Sequence, residues 1–211
     1  MARSKWALAG TAMALLGGAA VYYISERSTV EPDFALEREE GAFAVRRYPD
    51  LLTATIALTG ARENVLRRGF QRLAAYIFAK DRPGEQIAMT APVVQDQGAK
   101  IAMTAPVFNE RGDEPETWRV RFVMPDGYTP ASLPTPPADI AIETVSARRV
   151  AVIRFSGSGG DAVLYRKEAE LRRWMEREGL QPIGGFEYAF YNSPFIPPFL
   201  RRNEVIVPIA G

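Results

Sequence analysis

Apolar positions along the chain follow two periods, and the switches between them mark the elements. Residues 43–48 and 51–58 are short β-compatible runs on either side of Pro49-Asp50, a pair that reads as a turn between two strands. Over residues 61–78 the spacing changes. Leu66, Phe70, Leu73 and Ile77 recur every three or four positions, which predicts an amphipathic helix with that stripe toward the core. Arg67, Gln71, Ala74 and Phe78 form the adjoining stripe, the wet flank of the helix or the wall of a pocket. Asp81-Arg82-Pro83-Gly84 stops the helix. Alternation returns at 118–124, where Trp118, Val120, Phe122 and Met124 oppose Arg119, Arg121 and Val123, and predicts a strand. Residues 140–145 and 150–155 predict two more. A second helix is expected over 161–178, with Leu164, Leu171, Trp174 and Met175 inward, Asp161 as N-cap and Gly179 as the stop. Residues 186–191 and 204–209 complete the strands.

Between the first helix and residue 118 lies a tandem repeat. Ile87-Ala88-Met89-Thr90-Ala91-Pro92-Val93 recurs fourteen positions later as Ile101-Ala102-Met103-Thr104-Ala105-Pro106-Val107. In each copy the Ile, Met, second Ala and Val alternate with Ala, Thr and Pro. The spacer 94–100 is polar at its centre and contains Gly98, so the pattern predicts a hairpin with one apolar face. Each Pro belongs at a strand end, edge or bulge. Met89 and Met103 read first as gap-filling core residues, and second as ligands. The element order is then strand, strand, helix, three strands, followed by strand, strand, helix, two strands. Two halves with one helix each predict a pseudo-duplicated α+β domain.

Composition narrows the chemistry. The chain is 47% apolar and 24% charged with net charge +1, a globular balance that does not suggest bulk nucleic-acid binding. It contains no Cys and no His. Disulfides, thiolate ligands and Cys nucleophiles are excluded, as are the commonest general base and the usual haem axial ligand. Gly157-Ser158-Gly159-Gly160 precedes a helix, but without the Lys-Ser/Thr of a phosphate loop it is a weak phosphate signal. Arg46-Arg47 reads as solvated charge on an exposed strand edge.

Arg3 and Lys5 precede an uncharged run over residues 6–24, about long enough to span a bilayer. Residues 1–27 are expected to be a membrane anchor, with the N-terminus cytoplasmic and the domain outside the cytoplasmic membrane. The alternative is a cleaved signal and a secreted product. Residues 28–41 read as a linker, and residues 42–211 as the domain.

Several segments together resemble the SOUL haem-binding family. They are Ala44-Val45-Arg46-Arg47-Tyr48, both copies of the repeat, Phe155-Ser156-Gly157 and Arg201-Arg202-Asn203-Glu204-Val205. They occur in that family's order and cover about residues 34–209. The resemblance implies a distorted β-barrel of two pseudo-repeated halves, each with one packed helix, similar to bacterial effector-binding domains. It also implies haem or another porphyrin held in a shallow apolar groove. Carried onto this chain, the groove residues are Arg67, Phe70, Gln71 and Ala74 on the first helix, with Tyr188, Phe190 and Tyr191 later. Arg67 would face a propionate; Phe70 and the tyrosines would lie against the macrocycle. A basic residue found further along this helix in some members is Ala75 here. Without His, the resemblance leaves binding with no axial ligand or ligation by Met or Tyr, with Met89 and Met103 the weak candidates.

The sequence therefore favours a tetrapyrrole carrier or buffer without a catalytic role. A general apolar small-molecule module is the alternative, and a haem-modifying or hydrolytic enzyme a third reading. No nucleophile-and-base pair or metal-ligand cluster is evident in the sequence to support the third.

Overall fold

A computed structural model of the chain describes residues 31–88, 91–97, 117–192 and 196–211. Among these residues nine strands form one antiparallel sheet: β1 (Ala35–Glu40), β2 (Phe43–Tyr48), β3 (Leu51–Thr59), β4 (Val93–Gln97), β5 (Thr117–Val123), β6 (Ala141–Val145), β7 (Arg148–Phe155), β8 (Glu187–Phe190) and β9 (Asn203–Pro208). Two helices join them, α1 (Arg62–Ile77) and α2 (Asp161–Glu178). The spatial order is β1-β2-β7-β9-β8-β4-β5-β3-β6.

This order contains the expected duplication. In β3-α1-β4-β5, both β3 and β4 pair with β5. In β7-α2-β8-β9, both β7 and β8 pair with β9. Pairing of β4 with β8 joins the halves at the centre. Each half then takes an outer strand from the other half's stretch of chain, β6 beside β3 and β2 beside β7.

The order also forces the sheet to curl. Strands β2 and β3 stand six places apart, which in a flat sheet is roughly 29 Å at ~4.8 Å per strand. Yet Tyr48 and Leu51 are three residues apart, a reach of about 11 Å at most. The β6–β7 connection imposes the same closure, and Asp50 Oδ1 ties the two corners by accepting from the Ala147 amide at 2.6 Å. The result is a half-barrel.

Both helices pack on one face. Helix α1 lies over β3 and β5, α2 over β7 and β9. Gly69 lets α1 approach β5, because a Cβ there would stand 2.7 Å from Val120 Cγ2. On α2, Trp174 stacks on Phe43 at 5.1 Å and its Nε1–H donates to Glu40 Oε2 at 3.0 Å. Gly179 ends α2 at φ 67 as expected, but the N-cap is Gly160. Asp161 instead pairs with Arg62, and a carboxylate held by a guanidinium is not available to cap its own helix.

Three expectations change. The hairpin strand does not run through the first repeat copy; β4 begins at Val93 and continues into the polar spacer. Pro92 has no amide to donate to a ladder, so the strand begins after it. The spacer's polar side chains are paired inside the protein: Gln95 exchanges hydrogen bonds with Arg62, and Asp96 accepts from Arg119 and Arg121. Ile87 and Ala91 of that copy are buried. Met89, Met103 and the second copy lie outside the described residues, as does the leader. The second change is in the expected linker, whose residues 35–40 are edge strand β1. Its charges are used, since Glu37 pairs with Arg47 and Arg149, and Arg38 with Glu178. The third is Arg46, which is 6% exposed. Strand β2 is not an edge, and Arg46 is buried against Glu204.

Candidate functional site

The helix face carries an apolar shelf between the two helices. Along one flank of α1, Leu66, Phe70 and Ala74, and Phe78 just beyond, are half-buried against the core. The Phe70 ring meets Phe122 edge-on, with centroids 5.4 Å apart. In the sheet Phe122 stands opposite Val93, and Val93 opposite Phe190. Phe122 is buried, whereas Val93 and Phe190 remain half-buried. The row therefore crosses three strands and opens to solvent toward β8.

Phe190 is backed by Gly159. A Cβ there would stand 2.4 Å from Phe190 Cε1, far inside ordinary contact, so the glycine makes room for the ring. Arg62 holds this loop in place. Its Nη2 donates to Gly159 O at 2.6 Å, its Nε to Asp161, and its Nη1 to Gln95 Oε1 at 3.3 Å. One buried guanidinium thus fixes the starts of α1 and α2 relative to β4.

The expected site residues divide. Phe70, Ala74 and Phe190 share the shelf. Arg67 is exposed on its rim, with Nη2 donating to Asn64 Oδ1 at 3.1 Å. Gln71 turns toward the other flank of α1, where it lines an open groove of about 440 Å3 with Ile56, Leu58, Arg68, Arg72 and Asp139. Tyr188 is buried and donates to Glu168 Oε1 at 2.5 Å. Burial and the Glu168 carboxylate push its hydroxyl's pKa up, so it stays a neutral donor under α2.

Tyr191 follows Phe190 by one residue and so takes the opposite face, which neither helix covers. Burial, then Glu204, raises its pKa well above the ordinary value. Its hydroxyl donates to Glu204 Oε2 at 2.7 Å, and Arg202 lies 3.9 Å from its ring centroid. Arg46 grips the same carboxylate in two hydrogen bonds of 2.8 and 3.1 Å. Further along this face Arg148 pairs with Glu187, and Arg121 approaches both Glu187 and Asp96. Burial would raise the Glu204 carboxyl, but Arg46 and Arg202 hold it below its ordinary value. At Asp96 burial wins over Arg121 and Arg119, and the carboxyl is raised. These charges are buried by the curl itself, and ion pairs so enclosed fix geometry more than they add stability.

Sequence reading missed Val93, Gly159 and Arg62. In the sequence Val93 reads as the end of a motif, and Gly159 as part of a weak phosphate-loop signal. Arg62 carried no signal, because its partners are 33 to 99 residues away.

No group of three or more His, Cys, Asp or Glu suited to a metal occurs among the described residues. No curated protein matches the chain. Among solved structures the chain is similar to the EcmrR C-terminal domain, with TM-score 0.58 and 11% identity, covering 80% of this chain and 96% of that one. It is also similar to a hydrolase from Listeria innocua, with TM-score 0.51 and 13% identity, covering 79% and 91%. At such identities the likeness is one of fold. The sequence profile of the SOUL heme-binding protein family matches residues 29–208.

Proposed function

Because the chain belongs to the SOUL haem-binding family, we propose that it holds haem or a related tetrapyrrole on the α1–β8 shelf, as a carrier or buffer without catalysis. The observation that carries this reading is the row Phe70–Phe122–Val93–Phe190, half-open at both ends beside α1. A flat apolar macrocycle is the kind of ligand that buries such a row. Arg67 on the rim supplies the cation for a propionate, where the planar fork of a guanidinium suits a carboxylate. The chain offers the iron no imidazole and no thiolate, so affinity rests on apolar burial and propionate pairing, and the ferric spectrum is expected to be high-spin or weakly ligated.

Haemin titration tests this. The expected result is a Soret shift with saturable binding, and Arg67→Glu weakening it at least roughly tenfold at low salt, an effect that shrinks as salt screens it. Haemin binding unchanged by Arg67→Glu, with the fold intact by circular dichroism, moves the propionates elsewhere. The same half-open apolar row also suits a second reading, a general apolar small-molecule module. That reading predicts no Soret shift alongside tight binding of another apolar ligand.

We propose that residues 6–24 are an uncleaved anchor. No helix among the described residues is long and apolar enough to cross a membrane, and the uncharged run lies outside them. Fractionation of the intact chain with membranes supports the anchor, and a mature form beginning near residue 21 refutes it.

A further inference from the structure

The apolar shelf has one polar end. Gln95 and Tyr188 stand opposite each other on β4 and β8, two positions from Val93 and Phe190 and on the same face. That is about 7 Å along the strands. Arg62 covers this neighbouring row. Its Nη1 donates to Gln95 Oε1 at 3.3 Å, and its guanidinium lies 5.7 Å from the Tyr188 ring centroid. It pairs across the two helices with Asp161, and Glu63 Oε1 stands 3.8 Å from its Nη2. Two carboxylates thus share one cation. The Arg62 side chain is 5% exposed, whereas those of Glu63 and Asp161 are 71% and 52% exposed. The cation is buried and the carboxylates face solvent, so a ligand arriving at this end meets negative charge.

Glu63 belongs to the shelf as well as to this bridge. Glu63, Leu66, Phe70 and Ala74 follow one another at spacings of three and four along one flank of α1. A Cβ at Gly160 would stand 3.8 Å from Glu63 Oε1, and the preceding residue, Gly159, backs Phe190. The carboxylate therefore lies between the helix starts, beside the row that carries the ligand. One turn further along α1, Arg67 makes no ion pair among the described residues and donates to Asn64. The shelf is polarised, with a carboxylate at the bridge and a cation on the outer rim.

We propose that Glu63 makes the shelf selective for tetrapyrroles whose carboxylates all lie on one edge. Such a ring turns its apolar edge to the Arg62–Glu63–Asp161 bridge and its carboxylate edge to Arg67 and solvent. A ring with a carboxylate on every pyrrole has no such orientation, because whichever edge meets the bridge brings a carboxylate to Glu63. The two facing carboxylates repel by enough for roughly a threefold loss of affinity even in a water-like dielectric. This inference rests on the shelf as the tetrapyrrole site, the reading given above.

The test compares two metal-free rings, protoporphyrin IX with two propionates on one edge and coproporphyrin I with one on each pyrrole. Both are titrated by their fluorescence against the parent, Glu63→Gln and Glu176→Gln. Glu176 is an exposed carboxylate on α2, about 22 Å along the helix from Asp161, so it repeats the charge change far from the bridge. Glu63→Gln is expected to tighten coproporphyrin at least roughly threefold at low salt, to leave protoporphyrin within about twofold, and to lose its effect as salt screens the repulsion. Glu176→Gln is expected to change neither. An equal change for both rings, no change for either, or the same change from Glu176→Gln overturns the selectivity and leaves the shelf standing. If neither ring binds the parent, the shelf reading falls and the selectivity with it.

Discussion

Gly159→Ala tests the shelf with the smallest change available. The added Cβ would lie 2.4 Å from Phe190 Cε1 and 3.3 Å from Cδ1 and Cζ, whereas ordinary contact begins at 3.4 Å. The ring edge must therefore retreat by about 1 Å. The clash is with the outer part of a half-buried side chain, not with backbone, so a torsion change suffices, and ~30° off a rotamer costs roughly 0.5–1.5 kcal/mol. Stability is expected to fall by no more than about that amount. A macrocycle lying on Phe190 would lose part of its contact. About 40–60 Å2 of lost apolar contact at ~25 cal/mol/Å2 amounts to about 1–1.5 kcal/mol, or about five- to twelve-fold in Kd. Haemin titration followed by Soret absorbance measures the second effect, and thermal unfolding of the ligand-free protein measures the first. An unchanged Kd in a variant whose stability has dropped would show that the ring moved and the ligand did not notice, which removes Phe190 from the site.

Gly69→Ala sets two effects against each other. Helix propensity favours Ala by about 1 kcal/mol, but its Cβ meets Val120 Cγ2 and Cβ at 2.7 and 2.8 Å, and overpacking against a branch point that cannot swing aside costs about 1–3 kcal/mol. A net loss of about 1 kcal/mol in urea unfolding is expected; a gain would mean α1 shifts freely on β5. Glu204→Gln is expected to cost about 3–5 kcal/mol at pH 7, because Arg46 is left buried without its counter-ion. The Glu204 carboxyl sits below its ordinary value of 4.5 in the folded state, so its stabilisation is present above 4.5 and is lost as pH falls through the folded value. The gap between parent and variant in chemical denaturation should therefore narrow below pH 4.5, and a constant gap would refute the assignment. Tyr191→Phe keeps the ring by Arg202 and removes the hydrogen bond to Glu204. About 1.5–3 kcal/mol of stability should go with haemin Kd unchanged, and a raised Kd would place the macrocycle on the helix-free face instead.

Local rules read both helices to within a residue or two, because their apolar stripes repeat over four turns and each stops at a Gly or Pro signal. The strands with clean alternation, such as Trp118-Arg119-Val120-Arg121-Phe122, were legible for the same reason. What escaped was polarity satisfied at a distance. Gln95 and Asp96 looked like loop because their partners, Arg62 on α1 and Arg119 and Arg121 on β5, are invisible to a local window. Arg46 looked like edge charge because Glu204 lies 158 residues away. On β5 both charges, Arg119 and Arg121, share one parity of the alternation, a local signal for a buried charged face; on β2 Arg46 and Arg47 fall on opposite parities and give none. Among the site residues, helical periodicity could place Phe70 and Ala74 on one flank. It could not show that Gln71 leans to the other side of α1.

Strand β8 shows how one short segment serves two environments. Tyr188 and Phe190 face the helices; Glu187, Ala189 and Tyr191 face the ion pairs. On the charged side nearly every group is committed: Glu187 to Arg148, Tyr191 to Glu204, Glu204 to Arg46 and Arg202. Those bonds hold β8 in one register, since a slip of one residue would put Phe190 among the charges and Tyr191 on the shelf. With the register fixed from behind, Phe190 and Val93 can stay half-open in front without the strand shifting to bury them. Exposed apolar surface forgoes about 25 cal/mol for each Å2 left in water. A ligand flat enough to cover the row recovers that amount without any rearrangement of the sheet. The polar face therefore preorganises the apolar one, and the lost freedom that usually weakens a shallow site is already spent in folding.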